Sequence, residues 1–414
     1  MTLRRLPQWT AVATVLLAVS GALLGAPAVY GQGLIGDLQL FAPPRLDAFG
    51  GGREASQGFF FCYDQLYWWI QAPEAATIGA PGQQSVITQV INYPIDPNNL
   101  PPPGRYYETR GYTTRSTADT SDLGWETSWG ERFEFGWMGE HDGLLVSFSR
   151  LQHQSQYLNF NQVDMFFNDP EGLLTGIVGY GNRVVGNPLD PDTWTLIQEP
   201  VESPLPVTFT NLQVAYRAQF WSVELEYLRR SHMFRRGGYL EFLAGVRYLE
   251  LDDQTNFQGT GGILTGSTWN MDAQNHVIGP QLGVRYFKLA GRWMLNAEGR
   301  FTAGFNSQNL HLESNLIVPT PGTSGFPYAW RGSKVTQVEY QNEWCPVVEL
   351  RVELRYLITK AINLRVGWSG MWMDGLARSP YMIDYTLPLM GIDTSNNQED
   401  AFVHGLTFGV DINR

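Results

Sequence analysis

The sequence predicts an all-β fold: a transmembrane antiparallel up-and-down β-barrel of about 12 strands with long loops. Three observations carry this expectation. Segments of about ten residues alternate strictly between apolar and polar side chains, which is the period of a strand. Charged residues make up only 16% of the chain, against about 25% in soluble domains, so much of the outside is not expected to face water. Beyond the first residues nothing is long and apolar enough for a spanning helix, and in hydrocarbon only helices and closed barrels satisfy the backbone.

Residues 1–31 read as a signal peptide: Arg4 and Arg5 precede an apolar core at 11–24, and small residues at Ala26, Ala28 and Gly31 suit cleavage. No cysteine lies near that point, so a lipid anchor is not expected. Residues 32–58 are rich in Gly and Pro without a period and read as an extended N-terminal segment. The barrel is expected over 59–414, interrupted by long loops at 74–120 and 159–206.

Strand signals then follow in order. Residues 59–70 (FFFCYDQLYWWI) are aromatic on both faces. In 123–138, Leu123, Trp125, Trp129, Phe133, Phe135 and Trp137 oppose Glu126, Ser128, Arg132 and Glu134, and a less regular strand covers 144–158. Trp221, Val223, Leu225 and Tyr227 oppose Glu224 and Glu226, and Leu240, Phe242, Ala244, Val246 and Tyr248 oppose Glu241 and Arg247. Residues 282–286 and 293–305 continue the pattern around Arg285, Glu298 and Arg300. The stretch VELRVELRYLITKAINLRVGW at 348–368 is a hairpin breaking at Thr359-Lys360, with Glu349, Arg351, Glu353, Arg355 and Arg365 on one face. Phe402, Leu406, Phe408, Val410 and Ile412 mark the last strand. A ten-residue strand tilted near 45° spans about 24 Å, which matches the ~25 Å apolar band of a membrane barrel. Trp69, Trp137, Trp221, Trp293, Phe305, Trp368 and Trp372 fall near strand ends, where interfacial girdles sit.

A soluble β-sandwich alternates as well, but its polar face would be water-exposed and free to use lysine. Here the polar face carries Glu224, Glu226, Glu241, Glu298, Glu349 and Glu353 against Arg247, Arg285, Arg300, Arg351, Arg355 and Arg365, with no lysine in the set. Arginine pairs with carboxylates in confined polar spaces. These twelve residues are therefore the expected lumen-facing set.

Four blocks carry a resemblance: FAPPRLDAFGGGREASQGFFFCYDQLYWWIQAPE at 41–74, YLEFLAGVRYLELDD at 239–253, VIGPQLGVRYFKLAGRWMLNAEGRFTAGFN at 277–306 and ELRYLITKAINLRVGWSGMWMDGLARSP at 353–380. In their order they make the chain similar to the planctomycetal outer-membrane family labelled β-barrel porin 7. The resemblance implies an exported protein of the cell outer membrane, with membrane lipid as its surroundings, and implies little chemistry. The chain departs from barrels that end in an aromatic residue, since it ends in DINR.

A net charge of −12 argues against nucleic acid as a partner. The acidic excess lies mainly in loop-like segments and reads as solvation, with a weak divalent-ion site as the alternative. No catalytic constellation stands out: the six histidines show no HxxxH spacing and GWSG at 367–370 is no nucleophile elbow, so no catalytic, metal or cofactor residues are expected and the chain is read as a non-enzyme. His404 falls on the apolar side of its strand, which suggests an interface. Cys62 and Cys345, 283 positions apart (345 − 62), leave a disulfide open. Balanced charge in the lumen predicts a weakly selective passive channel for small hydrophilic solutes, or a barrel occluded by its own side chains. The alternative is a structural or adhesive surface protein that uses the barrel as anchor and the long loops for binding.

Overall fold

The computed structural model describes residues 57–81, 84–89, 95–106, 108–113, 116–204, 207–234, 237–318, 330–359 and 361–413. The expected signal peptide, nearly all of segment 32–58, Lys360 and Arg414 lie outside the described residues.

Ten strands close a ring: β1 (Gly58–Ile70), β2 (Glu126–Met138), β3 (Asp142–Met165), β4 (Val207–Arg230), β5 (Gly238–Thr260), β6 (Thr268–Ala290), β7 (Trp293–Ile317), β8 (Gly332–Leu357), β9 (Ile362–Leu376) and β10 (Glu399–Asn413). Each pairs antiparallel with the next, and β10 pairs with β1 to complete the circle. Closure leaves the barrel sheet without a free edge, the condition hydrocarbon imposes. The count is ten rather than about twelve. The long loops do hold strands, but these pair among themselves and do not join the wall. Gln84–Gln89 pairs with Glu108–Thr113, and Gly104–Tyr106, Thr175–Val185 and Thr195–Pro204 form a separate three-stranded sheet. The turns at one end are tight, as at Gly291, whose φ of +60° favours glycine. Short turns mark the periplasmic end and long loops the outer end.

The stagger of the ring fixes its tilt. From Gln65 the register runs through Glu131, Arg150, Trp221 and Glu250 to His276 on β6. In the other direction it runs through Phe408, Val366, Leu354 and Leu295 to Lys288 on the same strand, 12 residues away (288 − 276). Ten strands with that stagger lean at about 40°.

Strands β3 to β8 are 23 to 26 residues long, more than twice what the bilayer needs. Their polarity inverts partway up without any break in the alternation. On β5 the outward residues are Leu240, Phe242, Ala244, Val246 and Tyr248, then Glu250, Asp252, Gln254, Asn256 and Gln258. The inward ones are Glu241 and Arg247, then Leu249, Leu251 and Phe257. Strand β7 changes in the same way: Phe301 and Phe305 face out below Ser307, Asn309 and His311, while Glu298 and Arg300 face in below Leu310, Leu312 and Leu316. The lower half meets lipid outside and holds charges inside. The upper half meets water outside and packs a largely apolar core inside.

Aromatic residues mark both edges of the lipid band. Trp137, Trp293 and Tyr356 lie near the periplasmic edge, and Tyr67, Trp69, Trp129, Trp221, Tyr248 and Trp372 near the outer one. Tyr67 packs on Trp129 with ring centroids 4.8 Å apart, Trp221 on Tyr248 at 5.1 Å and Trp293 on Tyr356 at 4.7 Å. Trp368, expected at a strand end, lies at mid-height beside Leu406 and Val352. His404 faces outward among aromatic rings, 5.3 Å from both Trp69 and Trp125 and 5.2 Å from Phe402. Cys62 and Cys345 are free and buried.

Candidate functional site: an ion-paired layer inside the barrel

Strand alternation aims every second side chain of the membrane half inward, and the twelve residues singled out from the sequence are all buried there. Five more join them: Asp64, Glu134 and Asp411, and Arg132 and Arg230. Among the described residues the layer thus holds nine carboxylates and eight guanidinium groups, linked without interruption.

At its centre Arg365 grips Asp64 with two nitrogens, Nε to Oδ1 and Nη2 to Oδ2, both at 2.5 Å. Its Nη1 donates to Glu134 at 3.3 Å. Arg132 reaches the same Asp64 at 2.7 Å and Glu353 at 3.2 Å. Room for this knot comes from Gly409, where a Cβ would overlap Asp64 and crowd Arg365. Glu353 also accepts from Arg355 at 2.9 Å and Asn296 at 3.2 Å, and Arg355 bonds Asp411 at 2.9 Å.

On the opposite wall Arg300 bridges Glu224, Glu298 and Glu226. Arg285 bonds Glu298 at 2.6 Å and approaches Glu241, which Arg230 holds at 2.8 Å. Other pairs cross the lumen between strands that are not neighbours. Arg247 on β5 bonds Glu349 on β8 at 2.7 Å, and Arg351 on β8 bonds Glu134 on β2 at 3.0 Å. A lumen crossed by such pairs is filled by side chains, not lined by them. A cavity of about 70 Å³ at the periplasmic mouth, bordered by Arg230, Glu241, Arg285 and Arg355, is the size of a few water molecules.

Above the ions lies an apolar layer of Leu66, Trp68, Ile70, Leu151, Phe220, Leu249, Leu251, Val347 and Met371. Above that, the β9–β10 connection folds into the barrel. Ala377, Met382, Ile383, Tyr385, Leu387 and Met390 join the core made by Phe209, Phe257, Trp269 and Leu312. The wall latches this insert through its backbone. Asn275 both donates to Ala377 O and accepts from Ala377 N at 2.8 Å, and Gln308 donates to Asn397 O at 2.8 Å. Arg378, fully buried, bonds Asp253, Tyr216 Oη at 2.8 Å and Gln71 O at 3.0 Å. Arg378→Ala leaves Asp253 buried without its cation, a loss of about 3–5 kcal/mol. Limited proteolysis of proteoliposomes should then cut the insert in the variant and spare it in the wild type. Farther out, Ser121 donates to Asp119 through its hydroxyl and its backbone N–H, which holds that carboxyl below the usual range.

The sequence reading missed Asp64 because it lies in an aromatic run. Arg132 and Glu134 carried a usable signal, since they alternate against Trp129, Phe133 and Phe135. Arg378 and Asp253 had none: one lies off the strands and the other beyond the polarity inversion.

A family model described as "Putative beta barrel porin-7 (BBP7)" matches residues 102–413. No curated protein matches. Among solved structures, the chain is similar to the outer membrane protease OmpT of Escherichia coli, with a TM-score of 0.40 and 8% identity over 87% of this chain and 98% of that one. It is also similar to the Pseudomonas putida toluene transporter TodX, with a TM-score of 0.21 and 8% identity over 91% and 93%. A Pseudomonas aeruginosa FadL homologue gives 0.20 and 7% over 90% and 94%.

Proposed function

The chain belongs to the beta barrel porin-7 family, and from that premise we propose that it is an outer-membrane barrel shut by its own side chains, non-conducting at rest. The carrying observation is the ion-paired layer, whose bonds cross the lumen from β2 and β5 to β8. Opening a path for a hydrated ion would break several buried pairs at once, each costing several kcal/mol. The near balance of charge supports the same reading, since selective pores use rings of one sign. The insert latched by Asn275, Gln308 and Arg378 adds a second closure above it.

Purified protein in planar bilayers tests this directly. The wild type is expected to give no steady conductance. Deleting 379–397 alone is expected to leave the bilayer sealed, whereas the triple variant Arg300→Ala, Arg351→Ala, Arg365→Ala should leak. Discrete ohmic channels from the wild type would overturn the proposal.

A second reading, a surface protein anchored by its barrel, is favoured by one observation. The upper half packs an interior like that of a soluble domain and presents a polar outer wall, including Gln254, Asn256 and Gln258. If that half carries the function, deleting the hairpin 175–204 abolishes surface binding without changing conductance.

A further inference from the structure

Between its two aromatic belts the lipid-facing wall is aliphatic, aromatic, Gly or Pro, with one interruption among the described residues besides the ring-enclosed His404. Gln65 on β1, Glu131 on β2 and Arg150 on β3 stand side by side on one register line. Other charged outward residues lie beyond the lipid band, as Arg229 and Lys288 do at the periplasmic strand ends and Glu250 and Asp252 do above it. Gln65 is satisfied at home: it donates to Gly130 O at 2.8 Å and accepts from Tyr63 at 3.1 Å. Glu131 and Arg150 are exposed, and the side chain of neither makes a hydrogen bond or ion pair among the described residues. Glu131 is bracketed along its strand by Phe133 and Trp129, and Arg150 follows Phe148. Unpaired charges facing hydrocarbon are costly, and such residues mark functional contacts.

We propose that this face binds a second copy of the chain about a two-fold axis along the membrane normal, Glu131 of each copy meeting Arg150 of the other. The patch carries one charge of each sign, so it is complementary to itself, which is what an isologous contact requires. A two-fold along the normal preserves depth. The tilt separates the two residues by only about 3 Å in height, within reach of an arginine side chain. The exposed rings of Trp129, Phe135 and Phe148 supply the apolar remainder of the contact. A lipid phosphate fits less well, because Glu131 beside Arg150 repels an anion.

Charge reversal in nanodiscs, read by native mass spectrometry, tests the proposal. The wild type should be a dimer. Glu131→Arg should weaken dimerisation about tenfold or more, since like charges then meet, and Glu131→Arg with Arg150→Glu should restore it. In native membranes Phe148→Cys should form disulfide-linked dimers, while Leu350→Cys, exposed on β8 across the ring, should not. Heat-modifiable migration checks that each variant is folded. A monomeric wild type, a dimer indifferent to Glu131→Arg, or a double variant that stays monomeric while wild-type Arg150 retains a phosphate lipid would each overturn it.

Discussion

Arg365→Ala lowers the stability of the folded barrel by about 3–5 kcal/mol, the cost of leaving buried carboxylates without their cation. Asp64 loses both of its 2.5 Å bonds to Arg365, and Glu134 loses one at 3.3 Å. Arg132 still holds Asp64, so the barrel is expected to fold and to unfold earlier in denaturant. Arg365→Lys recovers only part of the loss, because an ammonium cannot repeat the two-pronged grip. Unfolding free energies measured by denaturant titration in lipid vesicles check both variants. A shift below ~1 kcal/mol for Arg365→Ala would mean that water, not the fold, solvates these charges.

Val352→Arg costs about 2–4 kcal/mol by the same measurement, for the opposite reason: the new charge would face lipid. Val352 points outward, 46% exposed, next to Ala297 and the mid-height Trp368. Its neighbour Arg351 is 3% exposed and bonded to Glu349 and Glu134. One residue along the strand thus exchanges a site that needs a cation for one that rejects it. If Val352→Arg is tolerated and the protein leaves the membrane without detergent, the assignment of faces is inverted.

Each of the ten alternating segments recognised from the sequence lies on a wall strand, because alternation is local and lipid rewards one phase of it. Strand length was not legible. At Glu250 the outside changes from lipid to water, so the apolar residues move to Leu249 and Leu251 while the backbone continues unchanged. A shift of phase looks like the end of a strand to any reading that follows one apolar face. The same inversion hid Asp253, which faces the interior with the apolar set. The β9–β10 insert escaped notice because 377–398 has no period, and its burial depends on a cavity that exists only after the ring closes.

By itself the sequence pointed to the two faces of the membrane half: an apolar row and an opposing row that mixes Glu and Arg in near balance. Only the tertiary structure decided which carboxylate meets which guanidinium. Arg351 and Glu134 are 217 positions apart and touch because ten strands close with a particular stagger. Alternation is a property of neighbouring residues, whereas closure is a property of the whole ring. The number of strands and their stagger together set the width of the lumen, and that width turns a charged lining into a filled one.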